Sequence, residues 1–326
     1  NGRHALTAPN TVANVYRNAK VRIKSPAAAP TLTSCSGDNF AIRPASLSFA
    51  VTDADRTTAG TGRTLNNNTI AGTTVHNAGR PFTITATAYN GAGTPAITTN
   101  YDGSPTAVVT SCGGNGDACT ATTGTLTPGA WSAAAGTVAT TTASYDDAGA
   151  LTLQLQDTTY ATVDAGDGGG TQTISSTAAD AGRFVPAHFA VSINSPAFAA
   201  ACGAGAFTYV GQAFSYTTAP VITVTAQDAS NATTTRYAGT LWRITDASLT
   251  GKTYAAATGT LATTGLPGTD PVIAGGAGTG TLTFGSGSGL LFSRSAPAAP
   301  FEADIGLSIN VIDADGVAYA SNPVSF

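Results

Sequence analysis

Apolar residues recur at every second position in short stretches all along this chain. In ALTLQLQD (150–157), Leu151, Leu153 and Leu155 alternate with Thr152, Gln154 and Gln156; in GLSINVID (306–313), Leu307, Ile309 and Val311 alternate with Ser308 and Asn310. A period of two is that of a strand with one buried and one wet face. The alternating runs are brief and separated by clusters of Gly, Pro, Asn and Asp, which predicts an antiparallel sandwich rather than a βαβ sheet.

The pattern is written twice. FTITATAYNGAGTPAITTNYDG (82–103) and VITVTAQDASNATTTRYAG (221–239) both open with apolar–threonine alternation, pass a polar break and end on Tyr-x-Gly. FAIRPASLSFAV (40–51) precedes the first and FVPAHFAVSI (184–193) the second. GTLT follows at 124–127 and 280–283, and the ALTLQLQD and GLSINVID stretches close each copy. The expected architecture is all-β: two tandem Ig-like antiparallel β-sandwich domains, 37–182 and 183–326, of about seven strands each, after an N-terminal extended arm, 1–36.

Composition agrees. A chain of 326 residues suggests about two domains. Charged residues make up 10%, against about 25% in ordinary soluble domains. With one glutamate, three lysines and no methionine, strong helix formers are scarce while threonine and valine abound. No run of about 20 apolar residues predicts a membrane-spanning helix. The start, without Met or a signal-like apolar region, reads as a processed product or a fragment. Four cysteines favour an oxidising, extracytoplasmic setting. Cys112 and Cys119 flank the short loop GGNGDA, which can close a disulfide. Cys35 and Cys202 are the remaining pair, and their bridge would staple the two copies; three connectivities are open.

Charge is uneven. Arg3, Arg17, Lys20, Arg22 and Lys24 precede the first acid, Asp38, so residues 1–24 carry +5 and the rest −9, for a net −4. Ala19, Val21 and Ile23 alternate with Lys20, Arg22 and Lys24, one amphipathic strand. Opposite charge on arm and body suits a strand that docks on another copy of the chain; an ordinary edge strand with a lysine-guarded face is the plainer alternative. A net negative body offers nucleic acid no basic surface.

Catalytic chemistry is hard to assemble. The histidines are His4, His76 and His188; no G-x-S-x-G elbow is present, and a single glutamate leaves paired-carboxylate chemistry without an evident pair. No cofactor is implied. Asp164, Asp167, Asp313 and Asp315 are candidate calcium ligands, although Asp and Gly also serve ordinary turns and no EF-hand spacing closes on Glu. The Gly-rich stretch 275–289 lacks the Gly-Lys-Ser/Thr of a phosphate loop. Trp131, Trp242 and most tyrosines are expected as core lids; an exposed aromatic cluster beside aspartates would instead mark a glycan site.

CSGDNFAIRP (35–44), AGRPFTITATA (78–88), GRFVPAHF (182–189), FTYVGQAF (207–214) and DADGVAY (313–319) together resemble the DUF6701 region near the C-terminus of MshQ-like proteins. Such proteins are encoded with biogenesis genes of mannose-sensitive haemagglutinin type IV pili. The resemblance implies a secreted bacterial protein at the cell surface or on a pilus, and no catalytic residues. Family members usually continue beyond the DADGV segment. The expected function is non-enzymatic: an extracellular structural or adhesive surface protein, pilus-associated or filament-forming through β-strand-mediated subunit contacts, its partners being further copies or pilus components. A glycan- or calcium-dependent adhesin module is the alternative.

Overall fold

A computed structural model describes residues 11–113, 124–167, 172–198, 207–294, 296–297 and 299–326. The described residues form strands, turns and two short 3-10 turns, with no α-helix and no sheet closed into a barrel.

In the first unit one sheet runs, in spatial order, Leu126–Thr127, Thr137–Tyr145, Phe82–Tyr89, Ser46–Asp55 and Thr58–Thr64. The second centres on Gly149–Asp157, flanked by Thr106–Gly113 on one side and by Ile174–Ser175 and Ala179–Val185 on the other. Val51, Ile84, Val138, Leu151, Leu153, Leu155 and Phe184 fill the space between. Full burial of each such large side chain stabilises by about 1.5–3 kcal/mol. The polar residues between them face outward, as the alternation requires.

The second unit repeats the plan. His188–Ile193, Val221–Gln227, Thr279–Thr283 and Val272–Gly275 make one sheet, and Thr250–Ala256, Ile305–Asn310 and Val324–Ser325 the other. Ile222, Val224, Leu282, Leu307, Ile309 and Val311 are its core. The registers correspond residue by residue. Val51 pairs Ile84 and Ile84 pairs Thr140; Ile193 pairs Ile222 and Ile222 pairs Leu282. Leu151, Leu153 and Leu155 are buried as Leu307, Ile309 and Val311 are. One landmark does not correspond: residues 280–283 sit where 138–141 sit, whereas Leu126–Thr127 is an edge strand on Tyr145. GTLT is short and low in information, and its recurrence at 124–127 and 280–283 is not a structural equivalence.

Ala179–Val185 joins the units as one continuous strand, with Phe184 in the first core and Val185 in the second. The sequence boundary between 182 and 183 therefore falls within a strand.

The arm's strands pair within the chain: Tyr16–Ala19 with Phe40–Ile42, and Arg22–Ser25 with Leu32–Cys35 in a hairpin. Ala19 thus lies opposite Phe40, Lys20 and Val21 link the two pairings, and Arg22, Ile23 and Lys24 face Cys35, Ser34 and Thr33. A short connection makes such pairing inexpensive in loop-closure entropy. Cys35, at the end of this exposed hairpin, is a free thiol, so the expected Cys35–Cys202 staple is absent. Hairpin pairing places Cys35 opposite Arg22 instead. Cys202 and Cys119 lie outside the described residues; Cys112 is buried against the first core.

Candidate functional site

Each unit has a leading end, formed by the connection that carries the Tyr-x-Gly phrase and the turn after its last long strand, and an opposite, trailing end. At the leading end the repeated phrase becomes a clasp. Tyr101 Oη donates to Asp157 Oδ2 at 2.8 Å, and Tyr237 Oη to Asp313 Oδ2 at 2.7 Å. The other oxygen of each carboxylate accepts backbone N–H groups, from Thr159 and Tyr160 in the first unit and from Asp315 and Val317 in the second. The supporting backbone bonds also recur: Thr98 N–H to the Ala88 carbonyl and Tyr101 N–H to Thr98, matched by Thr234 to Ala226 and Tyr237 to Thr234. Burial, then the neighbouring carboxylate, raises both tyrosine hydroxyls above their usual range. Burial also raises Asp313. The closing glycines serve different ends. A Cβ on Gly103 would collide with the Tyr101 hydroxyl and the Asp157 carboxylate, whereas Gly239 holds φ +54°, a backbone that favours glycine.

The trailing end of the first unit docks on the leading end of the second. Asp147 Oδ1 accepts the N–H groups of Ala148 (2.8 Å) and Arg236 (3.0 Å), and its Oδ2 accepts the Thr235 hydroxyl (3.0 Å). Arg236 donates to Tyr145 Oη at 2.9 Å, and Ala229 N–H to the Ala78 carbonyl at 3.0 Å. Arg183 grips Asp315 with both terminal nitrogens at 2.7 Å, and its side chain is 1% exposed. Arg56 adds a bond to the Asp315 carbonyl at 3.1 Å. Val75 and Ala148 from the first unit join the second unit's core. Behind this contact, buried Asp53 takes Arg63 at 2.9 and 2.6 Å and His76 Nδ1 at 2.8 Å; His76 Nε2 lies 3.3 Å from the Arg80 carbonyl. Buried charges of this kind hold only while paired. The joint is specific and closed.

At the second unit's trailing end, among the described residues of the connections after Ile193 and after Thr283, lies a groove of about 920 Å³. Its walls are Phe198, Phe207, Tyr209, Phe214, Phe292 and Phe301, with Arg294 and Glu302 among its polar groups. Phe214 and Phe292 stack at 5.8 Å over a small satellite core, while Phe207 is 50% and Tyr209 59% exposed.

The residues singled out in the sequence scatter over these features. Asp164 accepts the Ala41 N–H at 2.9 Å, and Asp167 follows one turn later, both at the first unit's leading end. Asp313 and Asp315 lie at the joint, with oxygens engaged by Tyr237 and Arg183. The four aspartates do not converge, and among the described residues no three His, Cys, Asp or Glu side chains cluster as a metal site would. His188 Nε2 meets Gln227 Oε1 at 3.1 Å; His4 lies outside the described residues. Trp131 and Trp242 are half-buried against the two cores. The aromatic cluster is exposed beside Arg294 and Glu302 rather than beside aspartates. Sequence reading missed Asp147, the pairing of Arg183 and the groove. Arg183 carried a faint signal, as a basic residue directly before the apolar pair Phe184–Val185.

Fold and joint define a class: an all-β chain of two sandwich units docked end to end. Residues 147–325 match the family model described as DUF6701, third domain, and the chain belongs to the DUF6701 family. The matched span begins at the joint residue Asp147 and includes the first unit's Gly149–Asp157 strand. No curated protein and no solved structure matches the chain. No described helix is long and apolar enough to cross a membrane.

Proposed function

We infer that this protein is a non-enzymatic, extracellular structural or adhesive component of a bacterial surface assembly, pilus-associated or filament-forming, as MshQ-like proteins suggest. The observation that carries this reading is the joint. Two sandwiches are fixed end to end by a continuous strand, a bidentate Arg183–Asp315 pair and a shared apolar seam. A joint of this kind suits a spacer that keeps its ends apart, and interfaces between mobile domains are usually more open. The buried acid–base pair, Asp53 and His76, favours the same reading. Both ring nitrogens of His76 face protein acceptors and its side chain is fully buried, a poor placement for a general base that must reach substrate.

The test is cellular. Appendages sheared from the producing bacterium should carry the chain, detected by antibody in the sheared fraction and on the surface of intact cells. Recovery in the cytoplasm alone would overturn the proposal.

A further inference from the structure

The two free ends of the molecule carry apolar surfaces that no described residue covers. At the trailing end of the second unit is the aromatic groove. At the leading end of the first is the Arg22–Ser25/Leu32–Cys35 hairpin, inserted between the two strands of the Tyr16–Ala19/Phe40–Ile42 ribbon. Its register puts Ile23, Ser25, Leu32 and Ser34 on one face, and Arg22, Lys24, Thr33 and Cys35 on the other. The first face is solvent-exposed, with Ile23 and Leu32 each at 67% and neighbouring Val21 at 51%. A two-stranded hairpin with its apolar face in water is marginal alone, and contiguous exposed apolar surface usually marks a contact.

We propose that the aromatic groove of one copy receives the Val21–Ile23–Leu32 face of the hairpin of a second copy, making a head-to-tail contact. Three observations point to a second copy as occupant. The chain already joins a trailing end to a leading end once, there largely through polar bonds, since the equivalent trailing end of the first unit is covered by the leading end of the second. The groove's lining is mostly apolar, with Phe198, Phe207, Phe214, Phe292 and Phe301 among its walls, a surface that can bury aliphatic side chains. The charges also oppose: the arm is +5 and the remainder −9, so the hairpin's Arg22 and Lys24 approach an acidic body. Unlike surfaces at opposite ends form a heterologous contact, which extends into an open fibre unless its rotation closes a ring.

The contact rests on the assembly reading above and gives it a site. Its test uses two variants at exposed positions, Ile23→Glu with Leu32→Glu in the hairpin, and Phe207→Glu with Tyr209→Glu in the groove. Each should keep the wild-type circular dichroism and thermal melt. By sedimentation velocity the wild-type chain should grow with concentration into extended species. Each variant alone should stay monomeric, its association weakened by roughly tenfold or more. Mixed together, the variants retain one intact hairpin and one intact groove, so they should form dimers that do not extend. Wild-type-like association of either variant, or a mixture without dimers, overturns the contact. A wild-type chain that remains monomeric overturns it too, while leaving the surface role to be judged by appendage shearing.

Discussion

The trailing ends of the two units are the same place in the same fold, yet they have opposite chemistry. In the first unit that end holds Asp53, His76 and Asp147, each sealed and bonded beneath the second unit. In the second it holds phenylalanines, of which Phe207 stays half-exposed. The sandwich strands behind both ends are nearly interchangeable in register. Much of the difference lies in the connections, where chain can be exchanged without disturbing the paired strands, although Asp53 itself sits on the strand Ser46–Asp55. A repeated fold can thus present a locked polar joint at one level and an apolar groove at the next.

The largest expected effect breaks the locked end. Asp315→Ala leaves the Arg183 guanidinium buried without its bidentate partner. Removing one member of a buried pair costs about 3–5 kcal/mol. Chemical denaturation should show that loss, accompanied by earlier proteolysis in the 179–185 strand. A loss under about 1 kcal/mol would mean that water reaches the pair and the joint is not closed.

Next come the two clasps, which resemble each other but are not equal. Tyr237 Oη both donates to Asp313 and accepts the Arg243 N–H, whereas Tyr101 Oη donates to Asp157. Tyr101→Phe leaves one buried acceptor without its donor, costing about 1–3 kcal/mol. Tyr237→Phe strands a donor as well, so its melting temperature should fall further than that of Tyr101→Phe. Equal losses would argue that the Arg243 bond contributes nothing.

A smaller effect concerns pH at the joint. Burial raises the Asp147 carboxyl above its ordinary 3.8, against the lowering by its hydrogen bonds. A carboxyl raised on folding costs stability where it is ionised, and that cost is relieved as pH falls from its folded value toward 3.8. Asp147→Asn keeps the Oδ1 acceptor and removes the titration. In paired pH series the wild type should therefore gain stability relative to Asp147→Asn on acidification through that window. Parallel curves would show that Asp147 does not titrate there.

Much of the fold was legible because burial writes itself as alternation: Leu151, Leu153 and Leu155 could belong only to a half-buried strand. The clasps were half-legible, since both Tyr-x-Gly phrases and both terminal aspartates stand out while their bonds do not. Period two says that 19–24 is extended but names no partner, and the nearby 32–42 segment captured it. The groove was not legible at all. Its walls include Phe198, Phe207, Tyr209, Phe214, Phe292 and Phe301, and their convergence depends on connections that carry no periodic signal.

The smallest expected effect sharpens the contrast at its open end. Phe207 is 50% exposed, and its ring meets Tyr209 edge-on at 5.6 Å. Since half of its surface is already in water, Phe207→Glu gives up little burial, and the new carboxylate can remain hydrated. Substitutions at such positions usually change stability by no more than about 0.5 kcal/mol. The melt should therefore barely move. A charge at the sealed end would meet the opposite fate, because Val75, 6% exposed, sits within the second unit's core. If Phe207→Glu unfolded the second unit, the groove would be part of its core rather than a surface held open beside it.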